Sequence, residues 1–206
     1  MTVTGKVWAA GNAYPAMQNG VLDSGHAAAT VYTGVLPPRG APTVDQAPTA
    51  APELSWSDLS GPFQRLQTFR PSATGVARID LQLFRVGNPA GPLAVRLFAL
   101  DSANRPVGVP LFAVDLLAQT LTSATTGATV SVYPNVTGLT AGLPYGIVLA
   151  SPQSSATGPA YGFRYSDRGL YPAGAEFYSS DAGRSWHLEP GRTLGFAAYV
   201  PSIPVV

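Results

Sequence analysis

The sequence predicts an all-β protein: an antiparallel β-sandwich of jelly-roll type, preceded by an extended Pro/Gly/Ala-rich N-terminal arm. Three observations lead there. The 206 residues include 22 Gly and 20 Pro yet are 46% hydrophobic, which combines frequent turns with enough apolar surface for one core. The chain is rich in Val, Thr and Tyr, and no long run of helix formers interrupts it. From about residue 53, short apolar runs alternate with turn signals at spacings of roughly 8 to 15 residues, the beat of a sandwich rather than of alternating strands and helices.

Residues 1–55 form the first element, an attachment arm or linker. They contain GNAYPAMQNG, VLPPRGAP and VDQAPTAAPEL, with one β-like run, ATVYTGVL, at 29–36. Such a composition favours extended, polyproline-like chain and cannot bury a core alone. It reads either as a disordered tail with a linker or as an arm that orders on a partner, and the arm is the reading taken.

Residues 56–200 form the sandwich, followed by a short tail at 201–206. The run at 76–85 alternates, with Ile79, Leu81 and Leu83 on one face and Arg78, Asp80 and Gln82 on the other, which makes it a half-buried strand. The turn GNPAGP follows, then a second alternating run at 93–100, closed by DSANRP. Further strands are expected at 64–69, 110–116, 128–133, 144–150, 161–165, 173–178, 185–188 and 194–200. The stretch 114–121 fits both periods and could instead be a short helix. In LTAGLPY at 139–145, Gly142 supplies a tight turn, and Tyr145 opens a return strand or fills a sheet corner with its hydroxyl on the backbone.

Charge and composition exclude several functions. The net charge is +1, and the twelve basic residues are scattered, which leaves no footprint for nucleic acid or anionic lipid. There is no cysteine for a thiol nucleophile, a zinc site or a disulfide. The N-terminal stretch lacks the charged start and apolar run of an export signal, and no run is long enough to span a bilayer, so an exterior protein would need another carrier.

The two histidines, His26 and His187, stand in no metal-ligating pattern; no cofactor is expected, a structural calcium ion is left open, and no residue is nominated for one. No nucleophile elbow is present either. Glu176, Asp181 and Glu189 are close in sequence, and Arg164, Tyr165, Arg168 and Tyr171 supply the residue types of a sialidase site. A propeller needs several blades, however, and the chain is too short for them. No catalytic residue and no enzymatic activity are therefore expected. The stretch YGFRYSDRGLY at 161–171 is the densest in aromatics and arginine. Alternation assigns Tyr161, Phe163 and Tyr165 to the core and leaves Arg164, Arg168 and Tyr171 as exposed candidates for contact with a glycan or a protein partner.

Several segments together resemble a recurrent jelly-roll module found on bacterial surface proteins, glycan-active enzymes and phage structural proteins. They are QTFRP at 67–71, IDLQL at 79–83, VRL at 95–97 with RPVG at 105–108, LTAGLPYGIVL at 139–149 and YPAGAEFYSSDAGRSW at 171–186, a likeness covering roughly residues 62–200. SSDAGRSW at 179–186 also fits S-x-D-x-G-x-S-W and resembles the Asp-box of sialidases. The resemblance implies an accessory, binding or structural role and no reaction. In an Asp-box, Asp181 accepts backbone hydrogen bonds, Gly183 takes a positive φ and Trp186 packs beneath; Ser179, Asp181, Gly183 and Trp186 thus read as a hairpin staple.

Two functions follow as expectations. The first is a non-enzymatic structural or attachment protein of a phage or virus-like particle: a head decoration, tail or fibre component on the virion exterior. Its arm would dock to other structural proteins of the assembly, its sandwich would face outward toward host-surface glycan, and it would form a homo-oligomer, with no nucleic acid and no membrane insertion. The second is an extracellular carbohydrate-binding module associated with a secreted glycan-active enzyme.

Overall fold

The computed structural model describes residues 41–155 and 157–201, together with the backbone pairing of Met17–Gln18 (β1) with Val21–Leu22 (β2). Most of the expected arm, including the run at 29–36, lies outside the described residues. The strands that follow are β3 (Thr43–Gln46), β4 (Leu54–Leu59), β5 (Gln64–Phe69), β6 (Gly75–Val76), β7 (Arg78–Val86), β8 (Leu93–Leu100) and β9 (Pro106–Leu116). Then come β10 (Ala128–Val132), β11 (Val136–Thr137), β12 (Tyr145–Ala150), β13 (Ala160–Ser166), β14 (Glu176–Ser179), β15 (His187–Glu189), β16 (Thr193–Leu194) and β17 (Phe196–Val200).

These strands form two antiparallel sheets packed face to face. One has the order β15-β14-β5-β12-β8-β9. The other is built around β7: β10 and β17 both pair with residues 79–81 of β7 and so flank it on opposite sides. β10 and β13 both reach Leu83, which places β13 end to end with β17. β4 then pairs with β13 and β3 with β17, so that 43–59 makes one interrupted edge. β6 and β11 form a separate two-stranded ribbon.

Only β8–β9 and β14–β15 are hairpins formed by neighbours in sequence within one of the two large sheets. Apart from β3–β4 and β16–β17, which stay in one sheet without pairing, the other links between them carry the chain from one sheet to the other, the connectivity of a jelly roll. The turn after β7 is one such crossing, since β7 and β8 belong to different sheets.

The alternation read from sequence becomes burial. Ile79, Leu81 and Leu83 from β7 meet Leu93, Val95 and Leu97 from β8 in one core with Ile147, Leu149, Phe163 and Phe196. Each fully buried side chain of this size contributes about 1.5–3 kcal/mol. β12 is buried along its whole length because it is central in its sheet and covered on both faces. At its start Tyr145 is a sheet corner: β11 and β12 do not pair, Gly142 sits at φ +78°, and the Tyr145 hydroxyl accepts the Thr140 N–H at 2.9 Å.

Three local expectations change. The ambiguous stretch 114–121 is β9 to Leu116, then a single 3-10 turn at Ala118–Thr120. β3, β6 and β11 are strands where none was expected, and β4 begins inside the stretch assigned to the arm. The sandwich therefore reaches back to Thr43, because β17 offers an edge that the polar TVDQ fills.

Candidate functional site

The three ligand candidates from the 161–171 stretch converge on the chain's own segment at 46–55. Arg164 projects from β13, where the inward positions are taken by Tyr161, Phe163 and Tyr165, all within the core. Its guanidinium donates to Ser55 Oγ at 2.6 Å and to the Pro52 carbonyl at 2.9 Å. Arg168 is exposed and pairs with Glu53 at 3.0 Å, the same carboxylate oxygen that accepts from Ser166 Oγ.

Tyr171 is the exception among the expected exposed residues: it is buried, at 4% exposure. Its ring stands edge-on to Phe196 at 5.2 Å, and its hydroxyl donates to Gln46 Oε1 at 2.6 Å. The alternation ended at Tyr165, and the loop beyond it folds Tyr171 back over the core. Beside it, Leu170 O accepts the Thr49 N–H at 2.9 Å. The aromatic-arginine stretch is thus a clamp on the segment that runs from the end of β3 to the start of β4.

The octapeptide forms the turn of the β14–β15 hairpin. Asp181 Oδ1 accepts from Ser179 Oγ at 2.8 Å and from the Ser185 N–H at 2.9 Å, while its Oδ2 accepts from Ser185 Oγ at 2.6 Å. The bonds from Ser185 and Ser179 hold the Asp181 carboxyl well below the usual carboxylate range. Ser179 Oγ also accepts the Gly183 N–H at 2.8 Å, with Gly183 at φ +84°. A Cβ at Gly183 would lie 3.6 Å from the Trp186 ring, which places that ring against the turn.

What the staple holds is more informative than the staple itself. It fixes Tyr178 opposite His187 and Glu176 opposite Glu189 across the hairpin. On β5 next door, Tyr178 faces Arg65 and Glu176 faces Gln67. Since Phe69 is in the core, strand alternation turns Gln67 and Arg65 inward too, and both are buried. Gln67 links the sheets by accepting the Leu194 N–H at 2.8 Å.

Arg65 is the centre of a charge network between the sheets. Its guanidinium holds Asp58 of β4 through two nitrogens, and donates to Glu176 Oε1 at 3.3 Å and Glu189 Oε1 at 3.2 Å. It also lies over the rings of Phe163 and Tyr178, at 5.4 and 5.6 Å. Arg192 forms an outer layer, 3.4 Å from Glu189 Oε1, 4.4 Å over the Tyr165 ring and 5.5 Å over the Trp56 ring. The network thus runs from a fully buried carboxyl, Glu176, to a Trp56 that is 45% exposed.

Burial pushes the Glu176 carboxyl up to about 8, against the pull of Arg65 and Arg192. With Asp58 and Glu189 already neutralising Arg65, a third carboxylate has little charge left to meet, and Glu176 Oε2 has no hydrogen-bond partner. Arg65 itself is opposed by burial, and Asp58 with Glu176 and Glu189 outweighs this, so its pKa is raised. Among the described residues no three of His, Cys, Asp and Glu are arranged to hold a metal ion; here three carboxylates converge on an arginine instead.

Sequence reasoning placed Glu176 and Glu189 together but missed Trp56, Asp58 and Arg65, which come from the distant strands β4 and β5, and Arg192, which follows Glu189 in the loop before β16. One signal was present: in QRLQTF the alternation that buries Phe69 also buries Gln67 and Arg65, and an inward arginine demands partners. No family model matches the chain, no curated protein matches it, and no solved structure matches it.

Proposed function

We propose that this chain is a non-enzymatic structural and attachment protein of a phage or virus-like particle, serving as a head decoration, tail or fibre component. Its N-terminal segment docks on the particle and its sandwich faces outward, in contact with cell-surface glycan. The observation that carries the reading is the clamp: the first part of the sandwich after residues 1–40, from the end of β3 to the start of β4, is fixed through Gln46, Thr49, Pro52, Glu53 and Ser55. A passive tether needs no such anchors. Side-chain and backbone bonds along ten residues make the root stiff, so a sandwich held by its N-terminal segment keeps one orientation on its support.

The charge network supports the absence of a reaction from this site. Glu176 and Arg65 are 0% and 4% exposed, which holds a scissile bond away from the Glu176 carboxyl, the one among the described residues that is raised toward proton donation. A second reading, a carbohydrate-binding module beside a secreted enzyme, is favoured by the exposed Trp56.

Limited proteolysis of the free protein and of the same protein in gradient-purified particles tests the proposal. The expected outcome is cleavage within residues 1–40 of the free chain and protection in the particle. Absence of the chain from particles, or equal cleavage in both samples, refutes it.

A further inference from the structure

We infer that the Trp56 end of the charge network is a binding site for an uncharged oligosaccharide, with Trp56 as the stacking ring and Glu189, Asp58 and Arg192 as hydroxyl ligands. This gives the glycan contact of the attachment reading a place and a ligand class, and it rests on that reading.

The tryptophan is the first reason. An indole left 45% exposed on a strand whose neighbour Leu59 is fully buried is a large apolar surface held in water. Its orientation is set: Arg192 lies over the ring at 5.5 Å and is itself held by Tyr165 at 4.4 Å and Glu189 at 3.4 Å. Tyr178 and His187 form a further ring pair at 5.2 Å on the adjoining hairpin.

The second reason is preorganisation. Arg65 holds Asp58, Glu176 and Glu189 from behind, so the carboxylates at the surface are aimed before any ligand arrives. Asp58 and Glu189 keep about a quarter of their side-chain surface exposed, at 24% and 25%, and can accept from vicinal hydroxyls. Glu176 Oε2, fully buried and unpartnered, marks a layer that the protein's own groups do not complete.

Charge selects the ligand class. Arg65 and Arg192 are balanced by Asp58 and Glu189, and burial keeps Glu176 protonated at neutral pH. Within this network neither guanidinium is left over for a sialic or uronic acid, while an uncharged sugar finds both donors and acceptors. A protein partner fits less well, since a specific interface buries roughly 800 Å² per side around an apolar centre, and here the exposed Trp56 stands among charged groups.

The test is titration calorimetry of the full chain with neutral gluco-, manno-, galacto- and xylo-oligosaccharides, alongside sialyllactose and oligogalacturonate. At least one neutral series should bind, and Trp56→Ala should weaken it at least about tenfold. Trp56→Tyr keeps a ring and should retain most of the affinity. Val109→Ser, on the opposite edge of the same sheet as β15, should bind as the parent does. Thermal midpoints of all variants establish that they are folded. The inference falls if no neutral oligosaccharide binds at millimolar concentration, if only the acidic sugars bind, or if folded Trp56→Ala binds unchanged. Protection of residues 1–40 in particles without sugar binding defeats this inference alone; sugar binding by a chain absent from particles defeats the attachment reading alone.

Discussion

Replacing Glu176 by glutamine tests the most unusual group in the molecule. Its carboxyl is fully buried and raised from the ordinary 4.5 to about 8, so between those values the unfolded chain has released a proton that the folded chain keeps. Stability therefore falls as pH rises through this window, by about 1.4 kcal/mol per pH unit, and the contribution of the protonated Glu176 is lost in full above about 8. Integrated over the window the loss comes to about 5 kcal/mol, a large share of the stability of an ordinary domain. Glutamine keeps the shape and the oxygen that accepts from Arg65 but cannot ionise. In urea unfolding from about pH 5 to about pH 9, the two proteins should be nearly equal at the acid end, with the variant gaining on the parent as pH rises. The other groups facing Glu176, namely Arg65, Arg192, Glu189 and Asp58, are common to both proteins and cancel in the difference. Parallel stability curves would mean that Glu176 titrates alike in the folded and unfolded chain.

The clamp makes its own prediction: Tyr171→Phe removes the bond to Gln46 and should cost about 1 kcal/mol, with faster hydrogen exchange at residues 43–49. Arg65→Ala leaves Asp58 and Glu189 without the guanidinium between them and Glu176 Oε1 without its donor, and should cost about 1–3 kcal/mol by urea unfolding, more than Arg168→Ala at the exposed pair with Glu53. A Cβ at Gly174 would run into the Thr68 carbonyl, so Gly174→Ala should lower stability by about 1–3 kcal/mol and loosen β14 from β5. Asp181→Ala should raise amide exchange across β14–β15 while leaving β8–β9 protected, which two-dimensional NMR would read directly.

Local pattern was enough wherever burial follows from alternation. The strands at 64–69 and 93–100 begin and end where the sequence placed them, and Tyr161, Phe163 and Tyr165 are core as their spacing required. Tyr145 and the octapeptide were also legible, because a turn is decided by residues a few positions apart. Tyr171 was misjudged because its burial depends on Gln46 and Phe196, neither of which its own neighbourhood announces. β3 was taken for arm because TVDQ has no apolar face of its own; it is a strand only because β17 lies beside it. The charge network was invisible for the same reason, since Arg65 meets Glu176 across 111 residues and Glu189 across 124.

The pairing of Thr43 with Val200 brings the two ends of the sandwich side by side on one edge. The seam between the first and last strands of that sheet is the final contact the topology allows, and a chain still being synthesised holds it open until residue 200 has left the ribosome. The same adjacency means that a short linker could join residues 42 and 201, with new termini opened in the exposed β8–β9 turn at Ser102 and Ala103. The domain is thus built as a plug-in: it can hang from one end, hang from the other, or interrupt a loop of a larger protein without changing a strand.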